Sequence, residues 1–303
     1  MNTSAATDAT DILFQWPSIC LGSGRTRLLG VFGDPIAHSL SPLIHNLSLG
    51  LLGLDYHYLP FHVPPSRLHE ALLGFRSLGG RGFNATVPHK EALLPWMDEL
   101  SPTAIRVGAV NTVDLQDRII GHNTDAHGFL AALREEAPKP VTCGKVLVLG
   151  AGGAARSVLS ALLDSAFAPI FLANRTEERA WQLARFFAPF DQEHRIHPIP
   201  LNIDRIPWNE LSLLVNTTSL GLEGETTLPV ALERLPSDCL VYDIVYGPRG
   251  TPLTRLAQRH GLPSMDGLGM LVHQAAAAFR IWTGHEMPVA AVAAFLARKN
   301  ATS

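Results

Sequence analysis

The sequence predicts an α/β protein of two domains, and three observations carry that expectation. From about residue 28, short apolar runs alternate with helix-length amphipathic stretches, the pattern of a largely parallel sheet. The pattern starts afresh at Lys145 with a wholly apolar strand, "KVLVLG". A chain of 303 residues with 47% hydrophobic content is long enough for one or two cores.

The first half opens on "RLLGVFG", a strand. "PLIHNLSLGLLGL" follows as a helix, with Ile44, Leu47, Leu51 and Leu52 on one face and an end near Gly53. "DYHYLPFHV" reads as a second strand, "SRLHEALLGFRSLG" as a second helix, and "RGFNATVP" as a third strand running into a loop. "VGAVNTVDLQDRIIGHNTD" has the form of a hairpin turning at Gln116 and Asp117. "KPVTCGK" is a plausible hinge into the second half. There "KVLVLG" suits burial on both faces. "AGGAARSVLSALLDSAF" is a helix opening on glycines, and "PIFLANR" the next strand. "LSLLVNTTSLG" and "DCLVYDIVYG" are two further strand-then-loop units.

Composition narrows the function classes. The chain carries 24 basic against 27 acidic residues, a net charge of −3, which argues against a nucleic-acid footprint. Cys20, Cys143 and Cys239 are odd in number and far apart, so they read as reduced thiols in a cytoplasmic protein. Thirteen histidines show no HExxH or comparable spacing, and no metal is expected. Residues 1–27 form an extension with Asp8 and Asp11 and no Lys or Arg before Arg25, unlike a secretory signal or a transit peptide. It reads as a loosely ordered leader with no assigned role. No apolar run approaches about 18 residues, so no membrane span is expected. Even "GMLVHQAAAAFRIW" is broken by His273, Gln274 and Arg280.

The run Gly150-Ala151-Gly152-Gly153-Ala154-Ala155 fits the GxGxx(G/A) dinucleotide fingerprint. Gly150 permits the tight turn off the strand, Gly152 lets a pyrophosphate approach the backbone, and Ala155 allows close helix–strand packing. It follows an apolar strand and opens an amphipathic helix, the context that turns a weak motif into a specific one. At the end of the next strand stand Asn174, Arg175, Thr176 and Arg179, where an NAD site usually places an acid. Two guanidiniums and a hydroxyl suit the ribose phosphate of NADP. The plain alternative is that Arg179 pairs with Glu178 on an exposed helix, and Glu177 and Glu178 dilute the positive field.

Three polar stretches in the first half invite a ligand. In "HSLSPLIHN", Ser39 and Ser41 sit two apart, so on an extended segment both hydroxyls face one side. Ser41 reads as the helix N-cap with Pro42 as first helical residue, and hydroxyls at a helix start suit a carboxylate. "NATVPHK" supplies Asn84, Thr86 and Lys90, and "GHNTD" supplies Asn123, Thr124 and Asp125. Capping serines, turn asparagines and a surface lysine are the ordinary reading of each stretch taken singly. Their joint appearance with a nucleotide fold is what favours a site.

At this point the chain resembles the shikimate dehydrogenase family. The motifs "GDPIAHSLSPLIHN", "NATVPHK", "GAVNT", "GHNTDAHGF", "GAGGAA", "NRTEER", "VYDIVYGP", "TPL" and "DGLGMLVHQAAAAF" occur in family order from about residue 30 to about residue 280. The resemblance implies an α/β substrate-binding domain and a Rossmann-like NADP-binding domain with a cleft between them. The expected bounds are 28–124 plus 268–303 for the first and 125–267 for the second. It implies NADP-linked interconversion of 3-dehydroshikimate and shikimate in the chorismate pathway of aromatic amino acid biosynthesis. Carried over by position, Ser39 and Ser41 would hold the substrate carboxylate. Lys90 and Asp125 would flank the reacting oxygen. Thr86, Asn111 and Gln274 would bind the ring hydroxyls or their surroundings, and Tyr246 would touch the substrate. Gly150, Ala151, Gly152, Gly153 and Ala154 would cradle the pyrophosphate, and Asn174, Arg175, Thr176 and Arg179 the adenosine phosphate. Ile244 and Gly267 would line the nicotinamide.

Hydride transfer to a ketone builds charge on its oxygen, and Lys90 can deliver the proton. Burial would ease its release, whereas a nearby Asp125 would oppose it, and the sequence leaves that balance open. The departures from the family pattern are Ala85, Pro102 and His122, none of them a proposed reacting group. Two rivals stand beside this reading: a quinate/shikimate dehydrogenase of broader substrate or NAD use, and a non-catalytic regulator that has kept the pockets. The partner expected is a small molecule, with no nucleic acid and no membrane. Whether the chain forms a homodimer is left open.

Overall fold

The computed structural model describes residues 22–218, 229–247 and 249–302. Cys20, most of the extension and residues 219–221 of "LSLLVNTTSLG" lie outside the described residues.

Two six-stranded sheets organise the chain. The first holds β1 (Arg27–Gly33), β2 (Tyr56–His62), β3 (Gly80–Ala85), β4 (Glu99–Leu100), β5 (Thr112–Asp114) and β6 (Ile120–His122), in the order β2-β1-β3-β5-β6-β4. β1 runs parallel to β2 and β3, whereas β3–β5 and β5–β6 are antiparallel. The β5–β6 hairpin turns where the sequence expects it. Its register sets Asn84 opposite Thr112, and Thr112 opposite His122. The second sheet holds β7 (Cys143–Leu149), β8 (Ala166–Asn174), β9 (Ile196–Pro200), β10 (Leu211–Asn216), β11 (Leu240–Asp243) and β12 (Ser264–Met265). Its order is β12-β11-β10-β7-β8-β9, parallel throughout.

Successive side chains on a strand face opposite sides, so an apolar run requires a core on each face. In β7, Val146 and Val148 enter one core with Val158, Leu162 and Phe129, while Leu147 and Leu149 enter another with Trp208 and Leu253. In β1, Leu29 and Val31 face one core and Phe32 the other. The helices that cover these faces include α1 (Ser41–Leu51), α2 (Leu68–Ser77), α3 (His89–Ala92), α4 (Pro102–Val107), α5 (Asp125–Glu135), α6 (Gly153–Leu163), α7 (Glu177–Phe187), α8 (Pro252–Arg259), α9 (Leu268–Thr283) and α10 (Val289–Thr302). α9 serves both sheets. Met270 joins the core of the second, and Val272, Ala275, Phe279 and Trp282 pack with Leu29, Ile44 and Tyr58 of the first.

Four local expectations are corrected. The buried stripe of α1 is Ser41, Ile44, His45, Leu47, Ser48 and Leu49, while Leu51 and Leu52 are exposed. Hydrophobicity alone misses it because His45 packs by its ring and Ser48 satisfies its hydroxyl on the Ile44 carbonyl at 2.8 Å. Leu40, not Ser41, occupies the N-cap of α1, with Pro42 in the first turn. The helix expected through Phe167 stops at Leu163, where Arg195 donates to the Ser165 carbonyl at 2.7 Å and Phe167 turns into the core. The expected hinge segment ends early, since Cys143–Lys145 already belong to β7.

Candidate active site

β3 ends at Ala85, and the chain turns through Thr86 into α3, where the His89 N–H donates to the Thr86 carbonyl at 2.8 Å. His89 is buried with a ring nitrogen 2.8 Å from the Val63 carbonyl, and burial lowers its pKa. Anchored by that neighbour, the half-buried Lys90 extends to α5. Asp125 is the first residue of that helix, where a carboxylate meets the positive end of the helix dipole. Lys90 Nζ donates to Asp125 Oδ2 at 2.6 Å. The pair expected from positions 35 residues apart is therefore in direct contact.

Asn111 fixes the other carboxylate oxygen. Its Nδ2 donates to Asp125 Oδ1 at 2.8 Å, to Thr124 Oγ1 at 3.0 Å and to Gln274 Oε1 at 3.4 Å. Its Oδ1 accepts from the Thr124 N–H at 2.8 Å and from the Thr112 hydroxyl at 3.1 Å. Because a backbone N–H can only donate, the amide has one orientation. Both ends of Asn111 are thus engaged by protein. Gln274 is also engaged, donating to the Leu271 carbonyl at 2.8 Å. The Thr86 hydroxyl, by contrast, has no partner among the described residues. Asn123 supports the arrangement, donating to the Ala109 carbonyl at 3.1 Å and accepting from the Ala126 N–H at 3.3 Å.

At the start of α1 the segment before Ser41 is a turn rather than a strand, closed by Ser39 N–H donating to the Ile36 carbonyl at 3.1 Å. Ser39 Oγ then accepts from the Ser41 N–H at 3.3 Å, so the two serines meet through the turn and not through strand alternation. Burial raises the Tyr246 pKa, and the Leu40 backbone at the start of α1 opposes that rise.

The second sheet brings the residues expected to hold a nucleotide to its carboxyl edge, after β7 and β8. Gly150 has φ +109°, and a Cβ there would lie 2.5 Å from Thr217 Oγ1, so the turn off β7 requires glycine. Around Gly152, at the N-cap of α6, a Cβ would meet nothing within 4 Å. That open backbone at a helix N-terminus fits a pyrophosphate. A Cβ on Gly153 would lie 3.9 Å from Lys90 Cδ, which places the start of α6 beside the Lys–Asp pair. At the end of β8, Asn174 Nδ2 donates to the Thr176 carbonyl at 2.8 Å. Arg175 and Arg179 are exposed, and neither pairs with a carboxylate among the described residues. Glu177 instead accepts from Trp181 at 3.3 Å and Glu178 from Gln182 at 3.4 Å. Ile244 and Gly267 are adjacent, since a Cβ at Gly267 would overlap the Ile244 carbonyl.

Sequence reasoning passed over Asp243. It is fully buried, and its Oδ1 accepts from Asn216 Nδ2 at 2.9 Å and the Val245 N–H at 3.2 Å, its Oδ2 from the Thr251 hydroxyl at 2.6 Å. It ties the end of β10 and the N-cap of α8 to the segment carrying Ile244 and Tyr246. Burial pushes its pKa up to about 6, against the hydrogen bonds that lower it. Only its place two residues before Val245 inside a loop motif hinted at this. Of the departures noted above, Ala85 is buried at the end of β3, His122 ends β6, and Pro102 opens α4, where its missing N–H costs little.

Comparison with known proteins agrees with this geometry. Residues 31–113 match the family model for the shikimate dehydrogenase substrate binding domain, residues 133–203 that for shikimate / quinate 5-dehydrogenase, and residues 267–294 that for the shikimate 5'-dehydrogenase C-terminal domain. The shikimate dehydrogenase (NADP(+)) of Magnetococcus marinus is 47% identical over 269 residues, 88% of this chain and 94% of that one. The solved shikimate dehydrogenase of Aquifex aeolicus superposes with a TM-score of 0.82 at 37% identity, covering 93% of this chain and all of that one. The shikimate 5-dehydrogenase of Thermus thermophilus, solved in complex with NADP(H) and shikimate, gives 0.78 at 39% identity, covering 91% of this chain and 100% of that one. This fold and these relatives define an NADP-dependent oxidoreductase. The chain belongs to the shikimate dehydrogenase family.

Proposed function

We infer that this chain catalyses the reversible, NADPH-dependent reduction of 3-dehydroshikimate to shikimate, a step of the chorismate pathway. The observation that carries the reading is the 2.6 Å Lys90–Asp125 contact beside the first residue of the nucleotide helix. When bound, NADPH supplies the hydride. Lys90 gives a proton to the ketone oxygen in that direction and takes it back in the other. Asp125 holds Lys90 through Oδ2, and Asn111 holds Asp125 through Oδ1, so the donor is aimed before substrate arrives.

Ser39 and Ser41 at the start of α1 bind the substrate carboxylate, and Tyr246 closes over it. Thr86, with its hydroxyl unengaged, meets a ring hydroxyl, while Asn111 and Gln274 line the same wall. Gly150 to Ala154 hold the pyrophosphate, and Arg175 and Arg179, with Asn174 and Thr176, the adenosine phosphate. Ile244 and Gly267 face the nicotinamide. In this reading residues 28–124 with 268–303 form the substrate domain and 125–267 the NADP domain. The reading holds for a monomer or a homodimer alike. The cysteine usage, with Cys143 and Cys239 as free thiols, supports a cytoplasmic location.

Initial rates with shikimate and quinate, each against NADP and NAD, test the proposal. Turnover should be fastest with shikimate and NADP. Faster turnover of quinate with NAD would select the broader enzyme instead, and ligand binding without turnover would select the regulator.

A further inference from the structure

α6 buries Val158, Leu159 and Leu162 in the core of the second sheet. Arg156, Ser160 and Asp164, the last of them its C-cap, are spaced four apart and so share one face of the helix. That face meets the first half of the chain. From α4, Arg106 Nε donates to Ser160 Oγ at 2.9 Å, its Nη1 to Asp164 Oδ1 at 2.7 Å and its Nη2 to Asp164 Oδ2. Guanidinium and carboxylate therefore meet fork to fork, the arrangement that adds geometric specificity to the charge. Ser160 is fully buried.

A second arginine runs the other way. Arg156, in the first turn of α6, donates to the Val107 carbonyl of α4 at 3.4 Å, and its Nη2 lies 3.5 Å from Glu91 Oε2. Glu91 follows Lys90 on α3. The Arg156 guanidinium also sits over the Phe186 ring, 4.5 Å from its centroid. The chain leaves α4 at Gly108, φ +67°, where a Cβ would lie 2.6 Å from Phe186 Cζ and 3.0 Å from Arg156 Nη1. Glycine is what lets these groups close. An isolated exposed ion pair fixes little. Two arginines donating in opposite directions, one near each end of α6, fix both its slide and its rotation against α4.

We propose that Arg106 is a positioning residue for hydride transfer: with Arg156 it locks the helix at the pyrophosphate site to the half of the chain that carries Lys90. This rests on the reading that Gly150 to Ala154 hold the pyrophosphate and Lys90 meets the reacting oxygen. The dinucleotide is held at one end of α6 and the substrate in the other half, so the way α6 lies on α4 sets their separation. Arg106 belongs to neither proposed site. Loosening the lock leaves each ligand's own site whole and spoils only the distance between the two, to which the rate is steeply sensitive.

Arg106→Met keeps an unbranched apolar stem and removes the guanidinium. We expect single-turnover hydride transfer from NADPH to 3-dehydroshikimate to slow about tenfold. The separate dissociation constants for NADP and for shikimate, read by calorimetry, should stay within about twofold. An arginine that only braces the fold would lower Tm and leave the hydride step at the wild-type rate. That result would overturn the inference, and so would a loss of either affinity as large as the loss of rate. The pairing itself is read by a double-mutant cycle with Asp164→Ala. Arg106→Met should cost less than about threefold once Asp164 is gone, and effects that multiply would overturn the lock. If Arg106→Met does not fold, Asp164→Ala, at a half-exposed position, reads the same split between rate and affinity with the same overturning results. A wild-type chain inactive on shikimate would overturn the functional reading and this inference with it, whereas unslowed variants of an active wild type would overturn the lock alone.

Discussion

The two halves of the molecule treat charge and polarity in opposite ways. In the first sheet and its flanking helices, His45, Asn84, Asn111, Thr112 and Asp125 are buried, and all but His45 carry side-chain hydrogen bonds to one another. Past the carboxyl end of β8 in the second sheet, Arg175 and Arg179 stand in solvent, neither paired with a carboxylate among the described residues. Acid–base chemistry needs groups already aimed, and a low-dielectric network supplies that. Reading a phosphate needs cations that are free to take a new partner.

If this contrast is right, the largest effect belongs to the buried pair. Lys90→Ala should lower turnover by roughly 10²–10⁴, the range for a lost general acid–base group. Near-normal turnover with unchanged shikimate affinity would break the comparison at its centre.

Next comes the cost of keeping a histidine inside. Burial lowers the His45 pKa to about 3, whereas the unfolded chain protonates near 6.5. Below pH 6.5 the unfolded state gains a proton that the native state lacks, so stability falls as pH falls, by about 1.4 kcal/mol per unit. Between pH 6.5 and 4 that amounts to about 3 kcal/mol. Urea titrations of the wild type and His45→Phe across this window should diverge, with the variant showing the flatter loss. Parallel slopes would show His45 to be hydrated.

Asp243 carries the opposite sign in the nucleotide half. Its native pKa, about 6, lies above the unfolded 3.8, so the native state takes up the proton first and gains relative stability as pH falls from 7 to 4. The gain is about 3 kcal/mol at most and should disappear in Asp243→Asn. A stability difference between the two proteins that ignores pH would place that carboxylate in a wetter setting.

The smallest effect is at the exposed end. Arg175→Ala should cost about 1.5–3 kcal/mol of NADP affinity, the range for a hydrogen bond to a charged group, and leave NAD affinity alone. Equal losses for both would mean that this arginine does not touch the phosphate.

Much of this was legible in the chain because it is local. The strand before Gly150, the glycine turn and the hairpin at Gln116–Asp117 each depend on neighbours within a few residues. The Lys90–Asp125 contact was legible only through family likeness, since no periodicity links positions 35 apart. The rest was hidden by distance and by side-chain type. Nothing in "DYHYLPFHV" marks Tyr58 as the partner of Asn84, and the alternation argument for Ser39 and Ser41 failed because Leu40 is helical, φ −83° and ψ −8°. Of the expected α1 stripe, Ile44 and Leu47 are buried while Leu51 and Leu52 are exposed, and the helix buries in addition a histidine and two serines that hydrophobicity does not mark.

On α7, Glu177 and Glu178 are occupied by residues one turn along the same helix, and the neighbouring guanidiniums of Arg175 and Arg179 pair with no carboxylate among the described residues. If these guanidiniums read the ribose phosphate, as proposed, coenzyme preference is written on a stretch of surface that the fold does not lean on. It can drift, or be redesigned toward the unphosphorylated dinucleotide, while the machinery that handles the sugar-like acid stays untouched.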